Sequence, residues 1–310
     1  MTTTIGDPDP ERALPPAVPV GRDSTAGVAV MAHLRRQTAA LLGASSGVGG
    51  DDEGPVHATR VATRRLRAGL RLYGDLLDGD VAPRLRSELS WYAGALSPLR
   101  DVDVFLATVI DDDERVAGAL VPWLRRRRDE LTAEAVAALG SGRGAKLRLD
   151  LVTLARAPRF TPQAGKRASK VLAPLVLRED RRAASAIDEL DDSSPAAAWH
   201  AARIGAKRAR YAAEVGAPAV GRPAADLAEL WSTMTDPLGE AQDAVIQRGL
   251  VLERVDDPAV PLTAAEAFAC GTYVASTREA ETRAHRAASA RWQQSREEHR
   301  RLRRAVERAR

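Results

Sequence analysis

A histidine followed by a ladder of cations is written twice in this chain. VHATRVATRRLR runs from Val56 to Arg67, and WHAARIGAKRAR runs from Trp199 to Arg210. Of the eleven positions from His57 to Arg67, five are identical in the second copy and two more are conservative, Val61 to Ile204 and Arg64 to Lys207. A second pair of landmarks follows at similar spacing. ALSPLRDVDVF places Arg100 and Asp101 behind the first motif, and PLGEAQDAVI places Gln242 and Asp243 behind the second. The repeat therefore spans most of the chain, and an internal duplication is the architecture it predicts.

Each half reads as helical. Aromatic residues make up only 4% of the sequence, Ala, Leu and Arg are plentiful, and β-branched runs are scarce, a balance that favours helix over strand. With 310 residues and 45% hydrophobic content the chain has enough apolar material for a sizeable core. Helical segments separate at Gly, Pro and Asp clusters. The first His helix is expected at about 55–77, after GASSGVGGDDEGP. RLRSELSWYAGAL and PLRDVDVFLATVI follow as separate segments. The second His helix is expected at about 195–217, with long helices at about 223–254 and 263–308 behind it. APRFTPQAG marks the boundary between a first half at about 24–157 and a second at about 166–310. Residues 1–23, rich in Pro and Asp, read as a disordered tail in front of a single domain, 24–310.

The motif's chemistry follows from helical spacing. At about 100° per residue, His57, Arg60, Arg64, Arg67 and Arg71 fall within an arc of about 80° and form one stripe. Leu66, Leu70 and Tyr73 lie on the opposite face, available to a core. In the second copy His200, Arg203, Lys207 and Arg210 repeat the stripe, with Glu214 where Arg71 stands in the first. Like charges at i, i+3 and i+4 cost a few tenths of a kcal/mol per pair, so such a stripe needs a reason to exist. One reason is a solvated face whose cations pair with acids from neighbouring helices. The other is a multivalent anion grasped by guanidinium forks, with histidine adding a donor. No Asp or Glu interrupts either motif between Val56 and Gly74 or between Trp199 and Ala213, and the duplication lets two stripes line one groove.

The segments VHATRVATRRLRAGLRLY and LRDVDV in the first half, with WHAARIGAKRARYAAEV and LGEAQDAVI in the second, resemble the CHAD domain, a family named for conserved histidines in an α-helical domain. The likeness spans nearly the whole chain from about residue 24. It implies an all-α fold of two four-helix bundles related by a pseudo-twofold axis. It also implies binding of inorganic polyphosphate at a basic surface or channel between them. Carried over by position, the family's histidines fall on His57 and His200. Its basic positions fall on Arg60, Arg64, Arg65, Arg67, Arg203, Lys207, Arg208 and Arg210, and Tyr211 and Glu214 match the RYxxE ending of the second motif. Arg71 continues the first stripe, and Lys170, Arg178 and Arg181 share one side of the helix before the second motif and extend the basic surface. Two departures are visible, Ala209 in place of the usual leucine and Gln242 where an asparagine is commoner. Some family members carry a triphosphate-hydrolysing CYTH domain, but its ExExK strand signature is missing here, so hydrolysis is not implied.

Other functions are weaker. The net charge is only +4, so attraction to polyanions must come from clustering. The segment from Arg278 to Arg310 holds eleven Arg against five Glu and could grip nucleic-acid backbones, yet Trp292 is its only aromatic. No P-loop or other nucleotide fingerprint is present. Asp101, Asp103 and the run Asp111 to Asp113 are candidate metal carboxylates, but the run sits at an expected helix start, where the dipole favours acids. His33, His285 and His299 have no ligand-spaced partner and read as surface residues. Cys270, the single cysteine, reads as a buried thiol. No catalytic residue, metal or cofactor is expected. No stretch is apolar enough to span a membrane, and MTTTIGDPDPERALPPAVPVGRDS has neither the basic start nor the apolar centre of a signal peptide. The expected protein is cytoplasmic, with polyphosphate granules and polyphosphate-metabolising enzymes as its natural associates and nucleic acid as the less favoured partner.

Overall fold

The computed structural model describes residues 14–16, 18–21, 23–50, 54–110 and 113–310. Among these residues the chain forms nine α-helices and no strand. In order they are α1 (Ala26–Ser45), α2 (Gly54–Leu72), α3 (Val81–Val109), α4 (Glu114–Gly140), α5 (Gly142–Arg156), α6 (Ala168–Asp188), α7 (Ala196–Val220), α8 (Arg222–Val255) and α9 (Ala264–Arg308). Residues 1–13, 17 and 22 of the expected tail lie outside the described residues, as do Asp111 and Asp112. Leu14 and Val20, by contrast, pack against the core.

Local chemistry sets the helix ends. Thr25 caps α1 by accepting from the Val28 amide, and Asp113 caps α4 by accepting from the Arg115 amide. Ser141 ends α4 and starts α5, its hydroxyl taking the Gly144 amide at 3.2 Å. Gly221, at φ 90°, makes the break between α7 and α8. Thr263 and Glu266 form a capping box at the head of α9.

The expected break at Pro98 is absent. RLRSELSWYAGAL and PLRDVDVFLATVI form one helix, α3, with Pro98 inside it, and Pro237 lies within α8 in the same way. A proline cannot supply the N–H that its turn requires. Burial outweighs that loss, because Leu96, Leu99 and Val102 around Pro98 are fully enclosed.

Each half follows the same order of neighbours. Helices α1 to α4 pack each on the next, and so do α6 to α9, while α5 covers α1, α3 and α4. The first half thus contributes five helices and the second four. Between halves, α1 meets α6, α2 meets α7, α3 meets α8 and α4 meets α9. Leu66, Leu70 and Tyr73 enter the core as their helical face predicts. The Tyr73 hydroxyl crosses between the halves to donate to the Val215 carbonyl at 3.1 Å.

Two histidines expected at the surface are buried. His33 is 4% exposed, and its Nε2 bonds the Arg65 carbonyl at 3.0 Å. Burial pushes its pKa down to about 4, so the ring is neutral and that nitrogen is the donor. His299 is 3% exposed, and its Nε2 lies 2.8 Å from Asp180 Oδ1. The same oxygen accepts the Trp231 indole N–H at 2.9 Å. His285 is half-buried and stacked on Trp199, ring centroids 4.1 Å apart. Cys270 is buried, as its apolar setting suggested.

Candidate functional site

Helices α2 and α7 pack against each other and bring the front parts of the two motifs together. Arg60 and Arg64 from α2 stand within each other's field and within that of Arg203 from α7. Lys207 feels Arg203, Arg64 and Arg60. Helix α3 adds Arg100 and Asp101, and α8 adds Asp243, so all four elements that carry the repeated landmarks converge on one cluster. His57 stands beside Arg100, Arg64 and Arg60. His200 is tied through Nδ1 to the Gln242 amide oxygen at 2.7 Å.

The cluster is short of compensating charge. Arg60, Arg64, Arg203 and Lys207 make no ion pair with a described acid. Buried nitrogens on three of them, Arg60 Nη1, Arg64 Nε and Arg203 Nε, have no hydrogen-bond partner among the described residues. Desolvation holds Arg60 and Arg203 below the usual arginine range, although Asp101 and Asp243 pull the other way. Lys207, with little acid to offset burial and three guanidiniums, falls to about 7. His57 is lowered by burial first and by Arg100, Arg64 and Arg60 next. Asp101 and Asp243 are raised by loss of water, which the surrounding cations only partly offset.

Further along the helices the stripe splits. Arg65 reaches Glu214 at 3.4 Å, and Arg210 reaches the same carboxylate at 2.9 Å. Tyr211 lies between Arg64 and Arg210, under both guanidiniums. Arg71 turns to Glu179 at 3.6 Å, where Arg178 and Arg182 also gather. Arg208 and Arg67 lie beside this second group, together with Arg86. Lys170 and Arg181 are exposed on α6. Apart from Lys170 and Arg181, the sequence-predicted residues therefore fall into a central cluster, in which Arg60, Arg64, Arg203 and Lys207 make no ion pair with a described acid, and two flanking groups, each anchored on a glutamate. Glu179, Arg86 and Arg182 were missed: Glu179 and Arg86 come from helices outside the motifs, and Arg182, next to the predicted Arg181 on α6, joins the group through Glu179. Asp103, a candidate metal carboxylate, is fully buried and paired with Arg128 at 2.9 Å. The quartet Arg125–Arg128 splits around its helix, and Arg126 and Arg127 also go to separate acids, Asp257 and Glu130.

The CHAD domain matches residues 32–252. The chain belongs to the CHAD domain family. Solved structures share the fold, among them the following two. PptA from Streptomyces chartreusis superposes with a TM-score of 0.72 at 23% identity, covering 87% of this chain and all of that one. The CHAD domain from the plant Ricinus communis superposes with a TM-score of 0.70 at 25% identity, covering 89% of this chain and 96% of that one. No curated protein matches the sequence. The CHAD match contains both motifs and both landmark pairs, and it ends before α9. Among the described residues, no helix is long and apolar enough to cross a membrane.

Proposed function

We propose that this CHAD protein binds inorganic polyphosphate, without catalysis, along the cations that α2 and α7 share. The observation that carries the reading is the trio of buried, unpartnered nitrogens on Arg60, Arg64 and Arg203. A buried donor left unbonded costs about 1–3 kcal/mol, so three in one place favour an anion as their partner. Phosphate oxygens supply the missing acceptors, and their charge offsets the mutual repulsion of the cations. Family membership points to the same ligand.

The pairing of neighbours supports a pseudo-twofold relation between two bundles, with the cluster on its axis. Arg60 meets its sequence counterpart Arg203, Arg64 meets Lys207, and Asp101 meets Asp243. Off the axis, Arg71 lies within the field of Arg208, and their counterparts Glu214 and Arg65 form an ion pair. In the cell, such a protein recruits itself to polyphosphate granules in the cytoplasm or regulates an enzyme of polyphosphate metabolism.

The deciding experiment is a competition titration at physiological salt between long-chain polyphosphate and single-stranded DNA or RNA. Both weaken with salt because counterion release drives each. The Arg, Lys and His side chains of the cluster favour the denser charge, so polyphosphate is expected to displace the nucleic acid. Trp292, the one aromatic of the Arg-rich stretch 278–310, is 2% exposed and unavailable for base stacking. Equal or tighter binding of nucleic acid would overturn the reading.

A further inference from the structure

The central cluster opens at one end into a cleft that a bare phosphate chain has no use for. Arg203 and His200 line it on the cluster side. Its floor is apolar, formed by Leu238, Ala241 and Val245 of α8. The wall is the stacked pair Trp199 and His285, ring planes 9° apart. Trp199 stands where the first motif has Val56, so this wall belongs to the second half alone. The cleft volume is about 320 Å³, at the lower end of the roughly 300–1,000 Å³ typical of small-molecule sites.

We propose that this cleft seats the organic end of a purine nucleoside polyphosphate whose phosphates lie on the central cations. Its chemistry divides along that molecule's own division. Arg203 and His200 face the phosphates, and the apolar floor and ring wall suit a flat base. Glu281 lines the far side, where it would repel a phosphate. One of its oxygens takes Arg248 at 2.8 Å, which leaves the other to accept an amino N–H of the base. Gln242 accepts from His200 through its amide oxygen when the ring Nδ1 carries the proton, and its NH2 is then left to donate. A charged track joined to an apolar, ring-walled cleft is the layout of a site for a ligand with one highly charged and one planar end. The inference uses the polyphosphate reading only for the seat of the phosphates.

Calorimetric titration of the full chain with ATP, tripolyphosphate and long-chain polyphosphate, without divalent metal, tests it. Tripolyphosphate carries more charge than ATP, so a purely electrostatic site prefers it. We expect the reverse, with ATP tighter by about fivefold, the lower end of what base stacking on an aromatic supplies. Val245→Trp should fill the cleft and His285→Ala should remove half its wall. Both should erase ATP's advantage and leave tripolyphosphate binding unchanged. Tripolyphosphate binding as tightly as ATP to the unaltered protein would overturn the cleft assignment while polyphosphate binding stood. Loss of both ligands in equal measure in His285→Ala would overturn it too. Failure of all three ligands to bind the unaltered protein would remove both readings.

Discussion

Arg64 of the first half lies over the ring of Tyr211 of the second, its guanidinium carbon 5.5 Å from the ring centroid. The Tyr211 hydroxyl makes no hydrogen bond among the described residues, so the ring face is what orients the cation. A cation–π contact of this kind is worth about 0.5–1 kcal/mol. Tyr211→Phe should leave polyphosphate affinity unchanged, and Tyr211→Ala should weaken it about two- to fivefold. Fluorescence-polarisation titration of both variants distinguishes an orienting ring from one that merely fills space.

Distributed grip predicts piecemeal loss. Replacing Arg64 or Lys207 alone by Ala should weaken polyphosphate binding about 10- to 150-fold, the effect of one charge-assisted bond of roughly 1.5–3 kcal/mol. Replacing Arg60, Arg64, Arg203 and Lys207 together should nearly abolish binding with the circular dichroism spectrum intact. The control is a quadruple Ala variant of Arg300, Arg301, Arg303 and Arg304, equally basic but on α9. A larger loss in the control would move the site to α9.

The proposed polyphosphate binding is expected to be proton-linked through Lys207. With its pKa near 7 in the free protein, it is about half charged at neutral pH. A bound polyanion favours the charged form and raises that pKa, so binding takes up protons. Affinity should therefore fall as pH rises from 7 toward 9, and Lys207→Arg should flatten that limb. Calorimetry in two buffers of different ionisation enthalpy counts the protons directly. The sign for folding runs the other way from an ordinary ion pair. The unfolded lysine titrates near 10.4 and binds more protons than the folded one across this window, so stability should rise with pH between about 7 and 10. His57, lowered by burial and its arginine neighbours, should contribute to binding more at pH 6 than at pH 8.

Gly69 holds space for the buried His33. A Cβ at this position would lie 2.5 Å from His33 Nε2, the nitrogen that donates to the Arg65 carbonyl. Gly69→Ala gains roughly 0.5–1 kcal/mol in helix propensity but loses about 1–3 kcal/mol to overpacking, and it also disturbs that bond. A net destabilisation of about 1–2 kcal/mol is expected in urea unfolding. Gly118→Ala, with nothing within 4 Å, should be neutral or slightly stabilising.

The helical architecture and the central cluster were legible because they rest on periodicity and repetition, which one sequence displays in full. The stripe of His57, Arg60 and Arg64 and its copy at His200, Arg203 and Lys207 could be placed on one face from spacing alone. Where the stripe ends could not. Arg71 leaves it for Glu179, which arrives from α6, and no pattern within α2 announces a carboxylate on another helix. Glu214 was visible at Arg71's position, yet its hold on Arg65 depends on how α2 and α7 cross. His33 did carry a signal, since it shares a helical face with Val30, Gln37 and Leu41, all buried. Reading it as a surface residue gave its polarity more weight than its register. Pro98 misled for the opposite reason, because a local breaker was overruled by burial on both of its sides.

The bond from Tyr73 to the Val215 carbonyl joins surfaces that, in a chain half as long, would belong to separate molecules. Two such molecules would assemble the cation cluster only above their dissociation constant, and dilution would dismantle it. Here both contributors arrive on one polypeptide at fixed one-to-one stoichiometry. Their effective concentration is set by the connection through residues 157–167, not by expression level. That connection is itself pinned, with the Ala26 amide on the Lys166 carbonyl at 2.9 Å and the Ala168 amide on the Ser24 carbonyl at 2.8 Å. The cation cluster is therefore complete in a single copy of the protein, however scarce that copy is.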